Sequence, residues 1–281
     1  MAGILYIVAT PMGNLEDMTF RAVRILKEVD LIAAEDTRHS KRLMDHYGIQ
    51  TPMVACHDHN EDRKAADLVA RLASGQSIAL ISDAGTPLIS DPGYKLVRMV
   101  TQHDITVVPV PGCNAAIAGL SAAGLPTDRF LFCGFLPKKQ ARQSRLLSEL
   151  KPQSPTLIFY ESPKRIKTLL ARAADLLGNR QACLARELTK RHEEFIRGSL
   201  SDILKVLEQR EQVKGECVLF IQGASREDNP PPSAETLESA ILEKLDQQPR
   251  TGDLAKELAA TFNLPKKQVY DTILSLKRRA L

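Results

Sequence analysis

Along the first half of the chain, apolar residues fall in short unbroken runs separated by amphipathic stretches. Ile4–Ala9, Leu31–Ala34, Met53–Cys56, Ile78–Ile81 and Ile105–Val110 are too short for helices and are bounded by polar or Gly/Pro residues, the pattern of strands buried on both faces. Between them the spacing turns helical. Ala22, Ile25, Leu26 and Val29 follow a good N-cap, Thr19; Ser40 to Tyr47 stops at Gly48; Asp62 to Ala73 buries Ala65, Leu68, Val69 and Leu72 and ends at Gly75. Asp91 before Pro92 reads as the cap of a further helix, with the proline in its first position. Strand and helix in alternation predict a mostly parallel sheet.

After Pro111-Gly112-Cys113-Asn114 comes a helix of small residues, Ala115, Ala116, Ala118, Gly119, Ser121, Ala122, Ala123 and Gly124. Such a face serves two purposes that do not exclude each other. It can pack closely on a sheet, or let a flat ligand approach the helix N-terminus. Strand patterns then recur at Phe130–Phe135, Thr156–Tyr160, Ala182–Ala185, Glu194–Arg197 and Glu216–Ile221, with helices near Pro163–Leu177 and Leu200–Glu208. Only part of this order alternates, which predicts a mixed second sheet. Arg226–Ala234, with Pro230, Pro231 and Pro232, reads as a linker. Asp253–Phe262, the turn Asn263-Leu264-Pro265 and Lys266–Arg279 read as a helix-turn-helix whose last helix is basic through Lys266, Lys267, Lys277, Arg278 and Arg279.

Composition narrows the picture modestly. A chain of 281 residues can bury a substantial core, and a net charge of +4 is compatible with a polyanionic partner without demanding one. The five cysteines are scattered, mostly within apolar runs, as in a reducing compartment. No apolar run approaches the roughly 20 residues that span a bilayer, and the first residues lack a signal-peptide pattern. A cytoplasmic protein, neither secreted nor inserted in a membrane, is expected.

The candidate chemistry sits where predicted strands end. Ser82-Asp83-Ala84-Gly85-Thr86 follows the fourth run, where open α/β sheets bind ligands, and Asp83 would face whatever enters. Glu35-Asp36-Thr37-Arg38-His39 closes the second run, and a second ionic cluster, Arg186 to Glu194, follows a later strand; both are costly to bury, so they face solvent or serve a site. His57-Asp58-His59 lacks a third ligand at a familiar metal spacing and reads as a solvated loop. The first loop, Thr10-Pro11-Met12-Gly13-Asn14, has no GxGxxG fingerprint, which argues against a Rossmann dinucleotide site. The basic stretch Pro137 to Arg145 reads equally as a solvated face and as phosphate contacts.

Taken together, Val8–Thr19, Glu35-Asp36-Thr37-Arg38, Ser82–Gly93, Val110–Ala115, Phe159–Pro163 and Arg186-Glu187-Leu188-Thr189-Lys190 resemble the tetrapyrrole methylase superfamily. Within it they resemble the ribosomal RNA small subunit methyltransferase I branch, the 16S rRNA cytidine 2′-O-methyltransferases. The resemblance implies an α/β protein of two α/β domains, 1–125 and 126–225, with S-adenosylmethionine in the cleft between them, and a helical extension, 226–281. It also implies a homodimer acting on 16S rRNA or the small ribosomal subunit. Cofactor contacts would fall on Pro11, on Ser82, Asp83 and Thr86, on Asn114 and Ala115, and on Tyr160, Glu161 and Leu188. Tetrapyrrole-modifying members carry Gly-Asp-Pro where this chain has Ser82-Asp83-Ala84, and a Gly-rich first loop, which argues against a porphyrinoid substrate.

For the implied reaction no metal is needed, and positioning of the ribose hydroxyl supplies most of the rate. Asp36 and Glu187 are the candidate bases, with Lys190 a weaker one that would need a depressed pKa. Arg38 and Lys190 suit phosphates better, and each of the four also reads as an interdomain ion pair. A corrinoid-precursor methyltransferase and a non-enzymatic DNA-binding regulator are the competing readings.

Overall fold

A computed structural model describes residues 2–57, 61–225, 234–245, 250–262 and 264–279. The chain forms two compact units, Met1–Gly223 and Ala224–Leu281. The first holds two five-stranded sheets.

The first sheet comprises β1 (Ile4–Val8), β2 (Leu31–Ala34), β3 (Met53–Ala55), β4 (Ile78–Ile81) and β5 (Thr106–Val110), in the order β3-β2-β4-β1-β5. Every pairing is parallel. Alternate strand residues serve opposite cores, which is why these runs are continuously apolar. Leu5, Leu31, Ala33, Ile78 and Leu80 pack against α3 (Glu61–Ala73) and α4 (Tyr94–Gln102). Val8, Ile32, Ala34, Ala79 and Ile81 pack against α1 (Phe20–Glu28) and α2 (Thr37–Tyr47). Thr19 caps α1 through its side chain, as expected.

Two helix starts differ from the sequence reading. α2 begins at Thr37, not Ser40, because the Asp36 carboxylate accepts the Arg38 N–H and acts as N-cap. Asp91 does not cap α4. The N-cap is Gly93, at φ 123°, and Tyr94 is the first helical residue. A Cβ at Gly93 would lie 2.7 Å from Leu80 Cδ2, so this position is pressed onto β4, and the loop stays non-helical through Leu88 and Ser90, both at positive φ.

The second sheet contains β6 (Phe130–Phe135), β7 (Thr156–Glu161), β8 (Gln181–Arg186), β9 (Glu194–Ser199) and β10 (Cys217–Ile221), in the order β6-β7-β10-β8-β9. It is mixed: β6 and β7 are parallel and the other pairs antiparallel. One face is covered by α6 (Gln140–Leu150), α7 (Ile166–Leu177) and α8 (Leu200–Glu208). α8 begins with a reciprocal capping box between Ser199 and Asp202.

The other face receives α5 (Ala115–Ala123), which leaves the first sheet at β5 and lies on the second. Its Ala116, Leu120 and Ala123 share a core with Ile158, Cys183, Ala185, Val218 and Phe220. The small residues thus serve close packing. A Cβ on Gly119 would come within 2.5 Å of the buried Phe220 ring.

In the second unit, α9 (Ala234–Leu245), α10 (Thr251–Phe262) and α11 (Lys266–Arg279) share a core that includes Leu237, Ile241, Leu254, Leu258, Val269 and Ile273. The sequence reading carried its linker through Ala234 and missed α9. Residues 226–233 of that linker, and Asn263 of the tight turn, lie outside the described residues.

Replacing Gly119 by Ala tests the helix–sheet contact. A mid-helix Gly→Ala change gains up to about 1 kcal/mol in propensity, but overpacking against a ring that has no free space costs about 1–3 kcal/mol. Gly119→Ala is therefore expected to lower stability in urea denaturation, whereas Ala118→Gly, on the exposed face of α5, should lose about 1 kcal/mol through propensity alone.

Candidate active site at the carboxyl edge of the first sheet

Because the first sheet is parallel, the loops after β1, β2, β4 and β5 emerge on one edge, and hydrogen bonds lace them together. Thr10 and Gly85 exchange backbone hydrogen bonds of 2.8 and 2.9 Å, and the Thr10 hydroxyl donates to the Ser82 carbonyl at 3.1 Å. Gly85 sits at φ 81°, a left-handed conformation that suits glycine at this bridge. The Asp36 amide donates to Asp83 Oδ1 at 3.1 Å, and the Asp83 amide to Glu35 Oε2 at 3.3 Å. The Thr86 hydroxyl donates to the Cys113 carbonyl at 2.8 Å, and Asn114 caps α5 by accepting the Ile117 N–H. Across the cleft, the Ala116 N–H donates to the Tyr160 hydroxyl at 3.1 Å.

These loops and the second sheet enclose a cavity of about 390 Å³. Of the residues the resemblance assigns to cofactor contact, Asp83, Thr86, Asn114, Ala115, Tyr160, Glu161 and Leu188 line it. Pro11 and Ser82 stand behind the lining; Ser82 is buried, its carbonyl held by Thr10. The sequence reading missed Ile89, Asp91, Phe135 and Glu216, which also line the cavity. Three have a weak local signal: Ile89 forms with Leu88 an apolar pair in a polar loop, Phe135 ends a strand before Leu136-Pro137, and Glu216 follows a glycine.

Among the described lining residues five are acidic and none is basic, so the cavity favours a cation. Glu216 has a counter-charge in Lys190, and Glu161 carries its own in Arg165. The buried Glu161 carboxylate pairs with both Nε and Nη2 of Arg165, at 2.7 and 2.6 Å, and also accepts the Ser162 N–H. Burial pushes the Tyr160 phenol upward and the Asp91 charge adds to this, against the pull of the Ala116 amide, so the hydroxyl stays protonated at neutral pH.

Two apolar lining residues are presented by strained backbone. Ile89 lies between Leu88 at φ 72° and Ser90 at φ 70°, and Leu188 between Glu187 at φ 53° and Thr189 at φ 66°. Non-glycine residues at these angles cost of order 1 kcal/mol each and persist where surrounding contacts hold them. Around Leu188 the holding contacts are visible: the Lys190 amide donates to the Glu187 carbonyl, and the Thr189 amide to Glu193.

The four candidate catalytic residues flank the cavity without lining it. Asp36 reaches it through Asp83, and its carboxylate also accepts from the Arg38 guanidinium at 2.9 and 3.2 Å. Hydrogen bonds from the Arg38 side chain and backbone hold Asp36 well below the usual carboxylate range. Arg38 itself extends into solvent. On the other side Lys190 Nζ pairs with Glu187 at 3.0 Å and Glu216 at 3.4 Å, while its alkyl chain covers Gly13 so closely that a Cβ there would lie 2.5 Å from Lys190 Cγ. Burial opposes the charge on Lys190, yet the hydrogen bond to Glu187 and the neighbouring carboxylates outweigh it and raise its pKa. Burial likewise raises Glu187, but Lys190, the Glu216 amide and Arg186 together leave it below its ordinary value. His57 is described, whereas Asp58 and His59 lie outside the described residues; among those described no group of potential ligands could hold a metal ion. No described helix is long and apolar enough to cross a membrane.

Residues 4–204 match the family model described as Tetrapyrrole (Corrin/Porphyrin) Methylases. The chain belongs to that family. Within it the chain falls in the ribosomal RNA small subunit methyltransferase I branch. It is 44% identical over 279 residues to the protein of that name from Halalkalibacterium halodurans, covering 96% of this chain and 94% of the relative. The Synechocystis protein of the same name is 45% identical, with 98% and 99% covered, and that of Pseudomonas aeruginosa 52% identical, with 79% of each covered. Among solved structures, diphthine synthase superposes with TM-score 0.61 at 12% identity, covering 79% of this chain and 90% of that one. Uroporphyrin-III C-methyl transferase from Thermus thermophilus, in complex with S-adenosyl homocysteine, superposes with TM-score 0.56 at 18% identity, covering 78% and 97%. At these identities the likeness speaks for the fold.

The Lys190–Glu187 pair generates a prediction with a definite sign. Glu187 is lowered from 4.5, so its contribution is complete above that value and is lost as pH falls through the depressed one. Lys190 is raised from 10.5, so its contribution is complete below that value and is lost as pH rises through the elevated one. Lys190→Met should therefore cost roughly 1 kcal/mol near neutrality. In thermal melts across pH, the gap to wild type should stay constant around neutrality and close toward acid.

Proposed function

We propose that this chain is an S-adenosylmethionine-dependent methyltransferase that methylates the ribose 2′-hydroxyl of a cytidine in 16S rRNA. One observation carries the reading: an acid-lined cavity suited to a cationic methyl donor, flanked by Lys190 and by the outward-facing Arg38, cations suited to a polyanionic acceptor. The names of the branch relatives support small-subunit rRNA as the acceptor. Cytidine and the 2′-oxygen come from the resemblance. The proposal includes the two α/β domains, 1–125 and 126–225, with the donor in the cleft between them, a 226–281 extension, and a cytoplasmic homodimer.

Bound there, S-adenosylmethionine supplies an activated methyl group. Asp83, Thr86, Asn114 and Ala115 would hold it from the first sheet, Tyr160, Glu161 and Leu188 from the second, while Pro11 and Ser82 shape the loops behind it. Lys190, kept charged by two carboxylates, acts as a cation and not as a neutral base; together with Arg38 it holds backbone phosphates. Asp36 and Glu187 orient those two cations. Both carboxylates are held below their ordinary values, which makes them weak bases. Rate therefore comes chiefly from the aligned approach of hydroxyl and donor.

Calorimetry with S-adenosylmethionine and mapping of methylated riboses after incubation with small ribosomal subunits test this, with a corrinoid precursor as competing acceptor. Asp83→Ala removes a charged acceptor from the cavity wall and from the Asp36 amide, a loss of about 1.5–3 kcal/mol. Donor affinity should fall at least tenfold and methyl transfer with it. No heat with the donor, together with undiminished transfer by Asp83→Ala, would sink the proposal.

The helical extension gives a separate prediction. α11 exposes Lys266, Lys267 and Tyr270, whereas Lys277 is engaged with Thr251. Deleting residues 233–281 should weaken RNA binding and flatten its dependence on salt while leaving donor affinity intact.

A further inference from the structure

β6 is an edge strand that carries one irregularity. Phe132 pairs with Ile158, but Gly134 pairs with Phe159 and Phe135 with Tyr160, so Cys133 is an extra residue and the register shifts. Gly134 takes φ 62° at this bulge. In a regular strand, residues three apart face opposite sides. With the bulge, Phe132 and Phe135 face the same side as Tyr160 and meet its ring edge-on, at centroid distances of 5.0 and 5.6 Å. Phe135 is thereby turned out of the apolar core and into the wall of the cavity, where it remains 58% exposed.

The segment after it is anchored. Leu136 is buried and its carbonyl accepts from Arg165 Nη2 at 3.0 Å, and that guanidinium is fixed by the buried Glu161. Immediately beyond, Lys138, Lys139 and Arg142 are exposed. Ser90, from the loop after β4, closes against the bulge: its Oγ lies 3.2 Å from where a Cβ on Gly134 would sit.

We propose that Phe135 is a stacking platform for a nucleobase of single-stranded RNA at the mouth of the cavity, with Lys138, Lys139 and Arg142 holding the adjoining phosphates. An exposed aromatic ring followed by cations is how proteins grip an unpaired strand, because every base offers a π-face and every nucleotide a charge. The ring meets Tyr160 edge-on, as aromatic pairs prefer, and is more than half exposed. This inference deepens the proposed function by naming how its acceptor strand is held at the same site.

Titration of a single-stranded oligoribonucleotide, which needs no turnover, tests it in the full-length protein. Phe135→Ala and Phe135→Leu should weaken binding about tenfold or more. Phe135→Tyr should restore it to near wild type, because a ring is regained. Because Phe135 also lines the cavity, donor affinity by calorimetry should fall too in Phe135→Ala and Phe135→Leu, but by much less than RNA affinity. Replacing Lys138, Lys139 and Arg142 by Gln should lower the slope of log affinity against log salt by about 2. Equal affinity for the oligonucleotide in Phe135→Ala would overturn the inference, as would a loss of donor affinity as large as the loss for RNA, which would place the donor's own base on the ring. If wild type methylates no rRNA while RNA binding still depends on Phe135, the functional reading fails and the platform stands. If wild type methylates rRNA while Phe135→Ala binds normally, the outcome is the reverse.

Discussion

The contact on which the rest depends is the seat of α5 on the second sheet. Gly119 brings the helix backbone directly against the ring of Phe220, with Ala116 and Ala123 on either side. A larger side chain would lift the helix and with it Asn114 and Ala115, which sit at its N-terminus and form part of the cavity wall. The same helix continues from β5, so the carboxyl edge of one sheet and the inner face of the other are joined through one close-packed element. The Ala116 amide bonded to the Tyr160 hydroxyl repeats that link in polar form.

Around this frame charge is sorted by depth. Carboxylates face the cavity, and the basic groups nearby are turned outward or held in pairs. Arg165 neutralises Glu161 from behind the wall, Lys190 bridges Glu187 and Glu216, and Arg38 leans back on Asp36 while reaching into solvent. A cationic small molecule is drawn inward by such a field, and a polyanion is kept at the surface. The two substrates of a methyl transfer to RNA differ in just this way.

Local backbone irregularities gather at the same place. Leu88 and Ser90, Glu187 and Thr189, and the bulge before Gly134 each set aside the regular geometry of their element, and each presents one apolar residue, Ile89, Leu188 or Phe135, to the cavity. Departures from local preference concentrate at working sites because surrounding contacts hold conformations the isolated segment would abandon. The loop hydrogen bonds at Thr189 and the Arg165 clamp on Leu136 are such contacts.

By itself the sequence determined the strands and most helices, the parallel and mixed sheets, and the loops that carry Asp83, Asn114 and Tyr160. Burial periodicity and turn chemistry are local properties, written within a few residues of where they act. Its errors were local as well: the proline after Asp91 suggested a cap where Gly93 serves, and the Pro-rich stretch masked the start of α9. Tertiary structure alone decided that the small-residue helix rests on the second sheet and that Glu216 and Phe135 reach the cavity. It also decided that Lys190, besides its near neighbour Glu187, pairs with the distant Glu216. Those outcomes depend on residues distant in sequence meeting across two sheets, and on a one-residue shift that reverses which face a side chain takes, and no pattern within a single segment encodes either.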